Sequence, residues 1–241
     1  MQIIQACTGI LSLDAQHSRD TAITENPDNA TSTSHQESKS HHRFWAQNRT
    51  LDISITSNFP SFKELVKESI LTWAPHINLT LRFVEGNEGV IRIIDTPDAL
   101  ERNGHWSAIG TDALLIPSHV PTIQIHRRLR QSDLGPTILH MFGHALGLEH
   151  AHQHPDANID WHLPNLYKGY GEIGYSRNQV LEYILPKQRS AYTQLVPYDK
   201  CSIMHFPFPK EVIFNDIEYG YCDELSDGDI KAISAIYPVA S

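Results

Sequence analysis

Cysteine is scarce. Cys7, Cys201 and Cys222 are the whole complement of a 241-residue chain. That count excludes a small scaffold held together by several bridges, because such folds are cysteine-dense. Cys201 and Cys222 flank one C-terminal loop, and their spacing suits either a pair or two buried free thiols. Positive charge is also short, with 19 Lys and Arg against 28 Asp and Glu, a net charge of −9. Without a basic stripe or cationic tract the chain has no electrostatic footprint for nucleic acid or for an anionic membrane surface. Nor does it contain the run of ~18–20 consecutive apolar residues that a membrane-spanning helix requires.

What remains is an ordinary globular composition, with 40% hydrophobic residues. One domain of catalytic size, ~200 residues, plus a tail is the simplest fit. Ile3, Ile4, Ile10, Leu11 and Leu13 form a weak apolar run, but it lacks the basic start of a signal peptide and is broken by Gln5 and Thr8. Residues 14–42 are polar, and His35, His41 and His42 lie among clustered Ser, Thr, Asn and Asp. Such a stretch has too little apolar surface to offset its ordering entropy, so 1–42 reads as a disordered or leader-like tail and 43–241 as the domain. Three Asn-x-Thr sequons, at Asn29, Asn48 and Asn78, are compatible with secretion.

Within the domain, Leu51, Ile53 and Ile55 alternate with polar residues, as do Leu79, Leu81 and Phe83, and both runs read as strands. Between them, Ser61 to Glu64 spells a capping box, with Phe62, Leu65, Val66 and Trp73 at helical spacing behind it. Val90–Ile94 is a continuous apolar run suited to a buried strand, and Pro121–Ile125 a strand whose leading proline suits an edge. A helix is expected from about Pro136, at the first helical position, to Gly147. Ser176–Leu185 reads as a short helix with a capping box completed by Gln179, and Ser226–Tyr237 as a last helix with Leu225, Ile230, Ile233 and Ile236 inward. This order points to an α/β or α+β sheet with helices packed on it.

The chemistry concentrates in one segment. His140 and His144 lie four residues apart, hence on one helix face, where two neutral imidazoles can grip one ion. Gly147 lets the backbone leave the helix, and the turn brings His150 round as a third ligand. Three histidines leave the fourth tetrahedral position of a zinc ion open, as in catalytic sites. Glu149 lies beyond the turn, next to a ligand, and reads as structural. His152 and His154 lack the ligand spacing.

This segment resembles the metzincin signature H-E-x-x-H-x-x-G-x-x-H at every position except the glutamate, where Met141 stands. Ser202-Ile-Met204-His-Phe206 resembles the Met-turn of the astacin branch, S-x-M-H-Y. Further stretches, His150–Pro155, Asn158–Trp161, Trp106–Gly110 and Leu225–Asp229, are similar to astacin-like peptidases of bacteria and fungi, so the resemblance spans about residues 44–238. It implies an α+β metzincin-like zincin fold: a twisted, mostly parallel sheet, an active-site helix and a C-terminal Met-turn subdomain. It implies Zn2+ on His140, His144 and His150, with Met204 as a floor under the metal, a peptide or protein in the cleft, and secretion.

Two departures bear on activity. The family's glutamate moves a proton between water and the leaving amine, and the thioether of Met141 cannot. The family's Met-turn tyrosine contributes a hydroxyl, and Phe206 has none. No other catalytic residue is evident in the sequence. The expectation is therefore a zinc endopeptidase domain with impaired hydrolysis, or else an inactive relative that uses zinc for stability and binds peptides or proteins.

Overall fold

The computed structural model describes residues 14–30, 41–96, 105–126, 131–214, 219 and 222–239. The elements, in chain order, are α1 (Ala15–Glu25), β1 (Thr50–Thr56), α2 (Pro60–Leu71), β2 (Thr80–Val84), β3 (Ile91–Thr96), β4 (Trp106–Ser107), β5 (Ile123–His126), α3 (Gln131–Ala145), α4 (Leu163–Glu172), α5 (Arg177–Tyr183), α6 (Ala191–Leu195) and α7 (Asp227–Ile236). The strands form one sheet in the order β2-β1-β3-β5-β4, parallel except for β4. Leu51, Ile53, Ile91, Ile93, Ile123 and Ile125 are buried on it, as the alternating and continuous apolar runs require. Helices α2 and α3 pack together, with Trp73 fully buried where α2 gives way to the next turn.

Four expectations need correction. The strand starting near Pro121 is not an edge: β5 lies between β3 and β4, and Ser107 and Trp106 pair with Ile123 and Gln124. The edge on that side is the two-residue β4, too short to leave an alternation in the sequence. The capping box at Ser61–Glu64 does not form. Helix α2 starts at Pro60, whose fixed φ suits the first turn, and Phe59 occupies the cap without a side-chain bond. Helix α3 starts at Gln131, so Pro136 lies inside it. Proline there removes only the bond to the carbonyl four residues back, close to the helix start.

The fourth correction concerns the tail. Residues 15–25 form a helix, followed by a 3₁₀ turn at Pro27–Asn29, and both are docked on the domain. The docking is polar rather than apolar, which is why a count of apolar residues misses it. Ser18 donates to Asp112 Oδ1 at 2.5 Å and meets His41 Nε2 at 2.9 Å. Asn26 donates to the Trp45 carbonyl at 3.1 Å. Asn29 is fully buried: its amide donates to the carbonyls of Ala22 and Phe44, and its oxygen accepts from Phe44 N–H at 2.9 Å. His35 and the apolar run 3–13 lie outside the described residues.

Two other C-terminal expectations hold. Ser176 and Gln179 form the capping box of α5, and Ser226 with Asp229 forms another at the start of α7. Ile233 and Ile236 face the core, with Ile230 and Leu225 half-buried.

Candidate metal centre

Helix α3 ends with every terminal carbonyl occupied. Leu146 N–H bonds to the Phe142 carbonyl, Gly147 N–H to His144 and Leu148 N–H to Gly143, the paired bonds of a Schellman turn. Two distant side chains complete the set: the Trp45 indole donates to the Ala145 carbonyl and the Tyr237 hydroxyl to Leu146, each at 2.8 Å. The turn needs Gly147 at φ +99°, a left-handed backbone that other residues resist. A Cβ there would also meet Phe44 Cδ1 at 2.7 Å. The chain therefore reverses at a fixed point and brings His150 against the helix.

The three histidines predicted from the spacing come together. One ring nitrogen from each of His140, His144 and His150 lies within 4.8 Å of the others, the one such cluster of possible metal ligands among the described residues. All three residues are buried. His140 Nδ1 stands 2.7 Å from the Ile203 carbonyl, and His144 Nδ1 2.7 Å from the Leu148 carbonyl. A carbonyl only accepts, so both Nδ1 atoms carry the proton and both Nε2 atoms present a bare lone pair. His144 Nε2 faces His150 Nε2 at 3.0 Å, and His140 Nε2 is buried without a partner. Burial above all holds His140 at about 4 and His144 at about 3 and keeps His150 well below its ordinary value, helped by repulsion from His205 on His140, from His140 on His144, and from His144 on His150. Neutral imidazoles whose ring nitrogens converge, with His140 Nε2 buried and unsatisfied, are a donor set that fits zinc.

A second layer holds this set in place. The turn at Ser202–Met204 supplies the Ile203 carbonyl, and Asp229 on α7 fixes that turn. Ser202 donates to Asp229 Oδ1 at 2.5 Å, and Ile203 N–H to Oδ2 at 2.8 Å. Met204 is buried beside α3, with its sulfur where a side chain on Gly143 would stand; only glycine leaves room for it there. The Met204 carbonyl accepts from Ala151 N–H at 3.0 Å, tying the turn to the segment after His150.

Met141 is buried, 3% exposed, in the apolar core. Phe206 lies over the site: its ring stacks on His140 at 5.3 Å and 23° and touches His150 at 4.6 Å. Glu149 turns away toward Lys187, at 2.9 Å, and Arg43, at 3.5 Å. Burial alone would raise its carboxyl, but these two cations outweigh it and hold it at about 2. His152 and His154 are taken up elsewhere, by the carbonyls of Tyr183 and Thr193. Tyr198 reaches His205 Nε2 at 3.4 Å. Sequence reasoning missed Asp229, and also His105, whose Nδ1 accepts from His126 N–H at 3.0 Å. Asp229 lies in the quoted Leu225–Asp229 stretch, but nothing there points to Ile203, and no local motif marks His105.

Comparison with known proteins bears on the fold. No family model matches the chain, and no curated protein does. Solved structures do match. A structure of myroilysin shares 29% identity over 83% of this chain and 97% of that chain, with a TM-score of 0.72. A crystal structure of myroilysin shares 28% over 82% and 86%, with a TM-score of 0.61. High choriolytic enzyme 1, a hatching enzyme zinc-protease from the medaka fish Oryzias latipes, aligns at 16% identity over 87% and 98%, with a TM-score of 0.56, a likeness of fold alone. The architecture is thus the mixed, mostly parallel metzincin-like fold expected from the sequence.

Proposed function

We propose that this chain is a zinc metalloendopeptidase-type domain of the astacin-like branch whose own hydrolytic power is impaired. The observation that carries the reading is the tautomer-fixed pair His140 and His144, whose bare Nε2 atoms converge with His150 on a buried point. Zinc held there supplies Lewis-acid polarisation of a carbonyl and lowers the pKa of water. The Ser202–Met204 segment is the candidate Met-turn, with Met204 as the floor beneath the ligands. A peptide or protein is the proposed occupant of the cleft.

The chain's own residues contribute little to proton movement. Met141, beside His140, can neither take a proton from water nor deliver one to a leaving amine. General acid–base help is worth ~10²–10⁴ in rate. Phe206 places a ring, not a hydroxyl, against His140 and His150. A single oxyanion donor is worth ~10²–10³, and the two losses need not multiply. Glu149 does not replace the base, because its carboxylate is held by Lys187 and Arg43. These same features favour a second reading: an inactive relative, stabilised by zinc, that binds peptides or proteins without cutting them.

The deciding experiment is metal analysis of the purified chain and of His144→Ala, with a protease assay of the chain, Met141→Glu, Phe206→Tyr and the double variant. One equivalent of zinc lost in His144→Ala supports the site. Weak or absent cleavage that rises in Met141→Glu, and further in the double variant, supports impairment. Strong chelator-sensitive cleavage by the unmodified chain overturns it.

A further inference from the structure

Segments 199–204 and 222–229 are stitched side by side. Ser226 Oγ donates to Asp199 Oδ2 at 2.6 Å, and Asp229 accepts from both Ser202 and Ile203. Two free thiols stand at one end of this seam. Cys201 is exposed and directly precedes Ser202, and its N–H donates to Asp199 Oδ1 at 2.8 Å. Cys222 is half-buried, with its thiol 3.8 Å from the Lys200 carbonyl. That carbonyl belongs to the peptide group leading into Cys201, so the Cys222 sulfur already touches the backbone from which the Cys201 side chain springs. Partial burial, and then the neighbouring Cys201, push the Cys222 thiol up to about 11.

We propose that Cys201 and Cys222 are a thiol–disulfide exchange pair, reactive toward small-molecule disulfides, whose bridge clamps the turn beneath His140. The exposed Cys201 attacks first. Its thiolate sulfur bonds to one sulfur of the small disulfide and expels one small thiolate. Cys222 then gives its proton to solvent, attacks the Cys201 sulfur and expels the second small thiolate. Two protein thiols are oxidised to one disulfide, and one small disulfide is reduced to two thiols. Because attack requires the thiolate, the raised Cys222 thiol slows the second step. The bridge joins the two sides of the seam that Asp229 already holds, so it restrains the unfolded chain without redirecting the folded one. The pairing does not depend on zinc or on peptide hydrolysis.

The test uses the full chain carrying Cys7→Ser, so that no third thiol competes, exposed to oxidised glutathione. Intact mass and a non-reducing peptide map should show Cys201 joined to Cys222 with no glutathione retained. The melting temperature should rise by roughly 5 °C or more and fall back on reduction. Adding Cys222→Ser should leave glutathione trapped on Cys201 and abolish the rise. The proposal is overturned if glutathione stays on Cys201 while Cys222 remains free, or if the oxidised and reduced chains melt alike.

Discussion

His140 Nδ1 and the Ile203 carbonyl, 63 residues apart in sequence, meet at 2.7 Å. The contact fixes which nitrogen of His140 is bare, and Asp229 in turn fixes the carbonyl by holding Ser202 and Ile203. A histidine of the candidate ligand set aimed by a distant backbone carbonyl, itself aimed by a buried carboxylate, makes the geometry of that set depend on a residue in α7.

Asp229→Ala should therefore weaken zinc binding by ~10–100-fold, although Asp229 is not among the ligands. Leaving the Ser202 hydroxyl and Ile203 N–H unsatisfied in a buried place should also cost about 1–3 kcal/mol. A chelator-competition titration and a urea melt measure the two effects. Unchanged zinc affinity would show that the turn does not aim His140.

Gly147→Ala should destabilise the chain by about 2 kcal/mol or more and lower its zinc stoichiometry. The alanine must adopt φ near +99° and press its Cβ on Phe44. Gly171→Ala in α4 is the control. A Cβ there meets nothing within 4 Å, and the helix should gain about 0.5–1 kcal/mol. Equal stabilities for the two variants would argue against a strained turn.

Glu149→Gln should leave zinc content unchanged and destabilise the fold at neutral pH by about 1–3 kcal/mol, because Lys187 loses its anionic partner and Arg43 keeps only Asp112. The Glu149 carboxyl is depressed, so its contribution is present above its ordinary value of 4.5 and is lost as pH falls through about 2. The gap between chain and variant, followed by urea melts over that range, should close toward the acid end. A gap independent of pH would mean that the ion pairs are not its origin.

Acid should weaken the metal-free chain as soon as pH falls below about 6.5. Burial holds His105, His140 and His205 each at about 4 against an ordinary 6.5. Between those values the unfolded chain binds protons that the folded chain does not, so stability falls as pH drops from 6.5 toward 4. A urea midpoint that stays flat over that interval would contradict neutral burial of these rings.

The three-histidine cluster was legible because its geometry is local: i and i+4 on one helix, then a glycine turn, then a third histidine. The sheet was legible for the same reason, since Leu51–Ile55 and Val90–Ile94 carry their burial in their own pattern. The supports were not. Asp229 reads as a helix-capping residue, and nothing near it announces Ile203. Trp45 and Tyr237 close the carbonyl end of α3 from opposite ends of the chain. Helix α1 hides because its anchors, Ser18, Asn26 and Asn29, are polar and count as solvent-loving until their partners are known.

Asn29 gives that docking a history. Its Asn-x-Thr sequon is a legal acceptor for a glycan, yet in the folded chain its amide is sealed from solvent and engaged on both sides. Sugar and docking are therefore mutually exclusive. A chain glycosylated at Asn29 is one in which the sugar arrived before the helix settled, and α1 of that chain cannot afterwards take its place. Occupancy of that asparagine, compared with the exposed Asn48, would read out like a timestamp which of the two events came first.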